Sequence, residues 1–186
     1  TAHVREVCKE LLDVVLESND TEAPKALALQ RAIELIEGDV PIEKLTLSQG
    51  LSDTYKVKGV GVSINSPDIR NINQAHVQVV RKMRERQPGS EPQSGDRVPY
   101  VLTKTDDPKA KAFEKSEDPK YAKEHGIPID NEYYFMNKFL NPICDLLEPL
   151  FEDPKEEIFG ELLTKIKPKR RPKKKPETSI DELFKK

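Results

Sequence analysis

Val4, Cys8, Leu11 and Val15 recur at intervals of four and three, with Arg5, Glu6, Lys9 and Asp13 between them. That spacing predicts an amphipathic helix with one buried face, and Thr1 stands where its cap belongs. Thr21 is the next cap position, with Glu22 and Pro24 in the first turn, Ala26, Leu29, Ile33 and Ile36 as the stripe, and Gly38 as the stop. Leu45-Thr46-Leu47 reads as a short strand, and Val60, Val62 and Ile64 alternate with polar or small residues as a weaker one. From Asn71 or Asn73 to about Arg86 a further helix is expected, with Ala75, Val79 and Met83 as its inner stripe and a Pro- and Gly-rich loop after it. Val98 to Leu102 is a strand entered by a tight turn at Gly95-Asp96, and Lys104 to Lys115 is expected to be a mobile polar connector. Asp130, Asn141-Pro142 and Asp153-Pro154 each open a helix; their apolar sets run through Tyr133, Tyr134 and Leu140, then Ile143, Leu146, Leu147 and Leu150, then Ile158, Leu162 and Ile166. The pattern predicts a predominantly helical α+β fold over residues 1–166, followed by a tail over 167–186 that carries few apolar positions and is expected to be disordered when free.

Composition narrows this. Charged residues make up 34% of the 186 residues and hydrophobic ones 35%, which suits a modest core under a heavily solvated surface. No apolar run approaches the roughly 20 residues of a spanning helix, so no membrane partner is expected. Cys8 and Cys144 lie far apart among apolar helix positions and read as buried free thiols of a reducing, intracellular compartment. The net charge of -2 argues against binding nucleic acid by bulk charge, but cations are concentrated locally, in the stretch from Arg81 to Arg86 and again from Lys165 to Lys175.

With Ala75, Val79 and Met83 inward, the residues Gln74, Gln78, Arg81, Lys82 and Arg86 fall on the outer side of their helix. There amides can reach base edges in a minor groove and cations can reach phosphates, although an ordinary solvated helix shows the same pattern. His76, beside the stripe, fits a positioning role. Arg97, after the glycine turn, can pair with Asp96 or clamp a phosphate, and Tyr100 fits packing beneath the sheet. In the tail, Lys169, Arg170, Arg171, Lys173, Lys174 and Lys175 suit a nuclear-localisation patch, a phosphate tether or a solvated linker. No Gly-rich phosphate loop, nucleophile elbow or metal-ligand spacing is present, and Asp106-Asp107 and Glu156-Glu157 are neighbouring acids by position only. No cofactor is expected in this chain.

Gln74-Ala75-His76-Val77, then Arg84 to Ser90, then Gly95-Asp96-Arg97-Val98-Pro99-Tyr100-Val101 together resemble the thumb of family B DNA polymerases of the delta type. Ser116-Glu117-Asp118-Pro119, the stretch Glu124 to Asp130, and Tyr133-Tyr134 follow in the same order, and the likeness fades near Leu163. The resemblance implies a domain that closes over the minor-groove side of primer-template DNA, with Gln74, His76, Gln78, Arg81, Lys82, Arg86 and Arg97 as DNA-binding residues. A lysine common after the short strand of the family is replaced here by Gln49, and Lys56 or Lys58 can take over its phosphate. Lys56 to Asn71 is longer than the family's usual connector and reads as a surface insertion. The palm motifs Asp-x-x-Ser-Leu-Tyr-Pro and Tyr-Gly-Asp-Thr-Asp are absent, so the chain is expected to be inactive alone, with Mg2+ bound at a palm elsewhere. The implied partners are the palm, fingers and exonuclease part of a polymerase and primer-template DNA, at the nucleus or a viral replication site. Glu177, Ile180, Leu183 and Phe184 resemble a sliding-clamp-binding peptide, against the plainer reading of a short amphipathic turn without a partner. A stand-alone duplex-binding or scaffold protein that kept the fold and lost the polymerase is the alternative.

Overall fold

A computed structural model describes residues 1–166 apart from 19 and 108. The candidate clamp peptide (Glu177, Ile180, Leu183 and Phe184) and the basic run from Lys169 to Lys175 lie outside the described residues. Helix α1 spans Ala2–Glu17, and the Thr1 hydroxyl caps it by accepting from the Val4 N–H at 3.3 Å. Its buried set is His3, Val4, Val7 and Leu11, so Cys8 and Val15 flank the seam where the sequence pattern had centred them. Helix α2 (Glu22–Glu37) is capped through the Asp20 carboxylate, which accepts from the Ala23 N–H at 3.0 Å, while the Thr21 side chain makes no cap bond.

The expected inner stripe of α2 is corrected: Pro24, Ala28, Ala32 and Leu35 are buried, Leu29 and Ile36 are half-buried, and Ala26 and Ile33 are exposed. The two inward alanines permit a close approach to α1, and the larger aliphatic side chains pack beside the seam. Gly38 ends α2 at φ 91°, the left-handed conformation that a residue with a Cβ resists.

After a short α3 (Ile42–Leu45), strand β1 (Leu47–Gly50) lies a little later than expected and pairs antiparallel with β4 (Arg97–Leu102), in the register Leu47 to Tyr100 and Gly50 to Arg97. Strand β5 (Ser116–Glu117) pairs only with Val101 and Leu102 on the other side of β4. Pro99 is therefore tolerated in a central strand, because β5 does not reach it and no ladder bond is forfeited there. Between β1 and β4 sits a region the sequence pattern resolved poorly. β2 (Thr54–Val57) and β3 (Val60–Ser63) form a hairpin whose turn residues Lys58 and Gly59 both have positive φ, 49° and 85°. A 3-10 turn at Pro67–Asn71 leads into α4 (Ala75–Arg86).

Helix α5 (Pro119–Glu124), not expected from the pattern, is capped by the Asp118 side chain accepting from the Tyr121 N–H. Helices α6 (Asn131–Tyr134) and α7 (Leu140–Leu147) are one helical run joined by a π turn over Phe135–Phe139, and α8 spans Pro154–Ile166. The π turn keeps Phe135, Phe139, Ile143 and Leu147, spaced by four, on one face. The connector expected to be mobile is anchored at its end: Lys115 pairs with Asp130 at 2.6 Å and stacks over Tyr133, and its carbonyl accepts from the Thr103 N–H at 2.8 Å.

Two apolar clusters result. The larger gathers α1, α2, the Phe135–Phe139–Phe159 aromatic group and α7; the smaller lies under α4 with Leu51, Ile64, Ile69, Ile72, Val77, Val79, Val80 and Val98. β4 joins them, with Val98 in the smaller cluster and Leu102 in the larger. The Tyr134 hydroxyl accepts from the Leu102 N–H at 3.1 Å and ties the strand to the helical side.

Candidate nucleic-acid interface

Helix α4 carries most of the residues expected to touch DNA, and the structure divides them. Gln74 is exposed at its N-cap position. His76 and Gln78, by contrast, point inward, at 0% and 4% exposure. Gln78 is thereby corrected from an outward amide to an internal tie. Its Nε2 donates to the carbonyls of Ile72 at 2.7 Å and Ile69 at 3.1 Å, and its Oε1 accepts from Arg81 Nε at 2.7 Å. Those carbonyls belong to the 3-10 turn and its exit, where they also accept from the Ile72 N–H at 3.1 Å and the Gln74 N–H at 2.9 Å, so the buried amide fills their second lone pairs.

His76 shares a hydrogen bond of 2.7 Å between its Nε2 and the Tyr55 hydroxyl, which also accepts from the Ser52 N–H at 2.9 Å. Burial pushes the His76 imidazole below its ordinary value, so the ring is neutral at pH 7. Its Nδ1 has no hydrogen-bond partner among the described residues. The histidine thus fastens the hairpin to α4, and its 0% exposure corrects its placement among the DNA-contacting residues.

The three cations expected on the outer face of α4 are engaged within the fold. Arg81 pairs with Glu85 at 2.6 Å, besides its bond to Gln78. Lys82 donates to the Ser116 carbonyl at 2.6 Å and lies 3.8 Å from the Glu117 carboxylate; burial lowers its pKa, with Glu117 opposing that shift. Arg86 reaches Glu117 at 2.6 Å while its guanidinium stacks 3.5 Å over the Tyr121 ring. Glu117 itself is 6% exposed and also accepts from the Asp118 N–H at 2.8 Å. The C-terminal half of α4 is thereby fastened to β5 and α5. Arg84 is used likewise, on Glu91 at 2.8 Å and the Ile64 carbonyl at 2.8 Å.

Cations without an ionic partner among the described residues sit elsewhere. Arg97 is exposed and bonds only to Ser48 of β1, through its hydroxyl at 3.2 Å and its carbonyl at 3.0 Å, in place of the Asp96 pairing considered from sequence. Lys56, midway along β2, is exposed, as are Lys58 in the hairpin turn and Arg70 in the 3-10 turn. These three share an open cleft of about 760 Å3 with Tyr55, Asn71, Asn73 and Gln74. Arg70 was missed from sequence, because the 3-10 turn that presents it leaves no periodic signal. Lys58-Gly59 between two alternating stretches was the available sign of the hairpin.

Among the described residues no helix is long and apolar enough to cross a membrane, and no group of three or more His, Cys, Asp or Glu converges on a metal position.

The sequence profile of DNA polymerase family B matches residues 1–150. A DNA polymerase of Paramecium bursaria Chlorella virus NY2A is 34% identical over 162 residues, covering 86% of this chain and 16% of that protein. The DNA polymerase delta catalytic subunit of Candida albicans is 32% identical over 162 residues, covering 87% of this chain and 14% of that protein. That of Bos taurus is 43% identical over 84 residues, covering 45% of this chain and 8% of that protein. The chain therefore spans about a sixth or less of the length of these relatives. Matched across its helical cluster, its α4 site and its β4 strand alike, the chain belongs to DNA polymerase family B.

Proposed function

We propose that this chain is the thumb portion of a replicative DNA-directed DNA polymerase and grips primer-template duplex for a palm that lies in another stretch of polypeptide. The observation that carries the reading is the family match over residues 1–150, which spans the whole α4 and β4 region with its exposed Gln74 and Arg97. The internal pairing of Arg81, Lys82 and Arg86 gives α4 a firm seat, and contact with phosphates then falls chiefly to Arg97 and Lys56, whose charges no carboxylate neutralises among the described residues. Gln74, at the exposed end of α4, supplies an amide to the minor groove. Palm carboxylates and their Mg2+ perform the nucleotidyl transfer, and this chain holds the product in place. The chain beyond residue 166 adds a basic tether and a clamp-binding peptide, and the assembly works at a nuclear or viral replication site.

Fluorescence anisotropy of the full chain with blunt duplex DNA, titrated across salt, tests this. Binding should be independent of sequence, and Arg97→Gln should reduce the slope of log affinity against log salt by about 0.9, the loss of one phosphate contact. A chain that ignores duplex at low salt, or a slope untouched by R97Q and K56Q together, would refute the grip.

A further inference from the structure

The cleft between the hairpin and the 3-10 turn that leads into α4 holds Lys58, Arg70, Asn73 and Tyr55, none of which the duplex grip uses. We infer that it is a binding site for an unpaired nucleic-acid strand, with Lys58 and Arg70 taking the phosphates and Asn73 and Tyr55 facing the bases. The inference rests on the polymerase reading only for the presence of DNA; the site itself is argued from its lining.

Size decides first. The cleft is open to solvent and encloses about 760 Å3, the scale of a small-molecule site, which suits one or two unpaired nucleotides better than a duplex. Charge decides next. Lys56, Lys58 and Arg70 line the cleft, no carboxylate does, and among the described residues none of the three is in an ion pair, although every cation from Arg81 to Arg86 is. The remaining polar lining is amide. The Asn73 side chain is exposed and makes no hydrogen bond among the described residues, so it offers a donor and an acceptor to the edge of an unstacked base. Tyr55 adds an aromatic ring beside it. Cations along a groove, with an aromatic surface and a free amide, are the combination that holds single strands.

The walls are fixed in advance. Gln78 ties the carbonyls of Ile69 and Ile72, Ser66 caps the 3-10 turn by accepting from the Asp68 N–H at 3.1 Å, and the Tyr55 hydroxyl is held by Ser52 and His76. Lys58 occupies a left-handed position, φ 49°, where a hairpin turn favours Asn, Asp or Gly. The fold is not served by a lysine there, and a ligand contact would be.

The test uses the full chain with a twelve-residue oligothymidylate and, separately, a blunt duplex, both followed by fluorescence anisotropy at low salt. The K58Q/R70Q double variant replaces two exposed side chains and should weaken oligothymidylate binding by about tenfold while leaving duplex affinity within about twofold. Asn73→Ala should weaken oligothymidylate binding further without changing its salt slope, since it removes no charge. The inference is overturned if the native chain does not bind oligothymidylate, if K58Q/R70Q leaves that affinity unchanged, if it lowers both affinities equally, or if free thymidine triphosphate competes as well as the strand does. Oligothymidylate binding lost in K58Q/R70Q, in a chain that never binds duplex, would support the cleft and refute the thumb grip, so the two readings fail separately.

Discussion

Glu117→Gln is the perturbation that most directly tests how α4 is seated. The Glu117 side chain is 8% exposed, and its carboxylate receives Arg86 at 2.6 Å and Lys82 at 3.8 Å, whose side chains are 30% and 22% exposed. Glutamine keeps the volume and still accepts from the Asp118 N–H, so the change isolates the charge. Removing one partner of a fully buried pair costs about 3–5 kcal/mol. Here both cations keep partial contact with water and can reorient towards it, and Arg86 retains its stacking on Tyr121, so the cost falls to about 2 kcal/mol. For a chain of this size each kcal/mol lowers the midpoint by roughly 2–4 °C, which places the expected shift at about 4–8 °C by circular dichroism. The double variant E117Q/R86Q should lose less than the sum of its two single variants, because each change removes the same interaction. A midpoint within about 1 °C of the native chain would refute the bracing role. So would a gain in duplex affinity with a steeper salt slope and no loss of stability, since Lys82 and Arg86 would then be phosphate contacts merely parked on Glu117.

Two further outcomes follow from the same structure. His3 and His76 are each held below the ordinary imidazole value of 6.5 by burial, so the unfolded chain binds more protons than the folded one. Stability present above pH 6.5 should be lost as pH falls below it, and H76Q should reduce the difference in urea midpoint between pH 7.5 and 5.5; a difference unchanged in both H76Q and H3Q would remove the histidines as its cause. Gly38→Ala places a Cβ at φ 91° and 3.0 Å from the Asn131 amide nitrogen, and it should cost about 1–2 kcal/mol in urea unfolding, with a neutral result arguing against the left-handed cap.

What could be read from the chain and what could not differ by mechanism. The long helices were legible because each buries one face against a single layer, and Thr1, Asp130 and Gly38 act locally, through the next few residues or through φ alone. The inner face of α2 was misread because periodicity weights large aliphatics, while the seam there is made by Ala28 and Ala32, which contribute closeness more than area. The hairpin strand Thr54–Val57 was passed over because its alternation is short, and the 3-10 turn because it has none. The site failed for a third reason. A polar residue on a helix is assigned outward by default, but Gln78 is drawn in by carbonyls of an irregular turn, and Arg86 by a carboxylate 31 residues away. Neither partner leaves a mark on the periodicity of α4 itself. Once those partners are counted, the densest run of cations in the described chain becomes scaffold, and the unneutralised charge moves to its N-terminal end, where Lys56 and Lys58 come from the hairpin and Arg70 from the 3-10 turn. A charge cluster in sequence therefore locates an interface only after its own carboxylates have been subtracted, and here that subtraction shifts the candidate contact from the last turns of α4 to the cleft at its start.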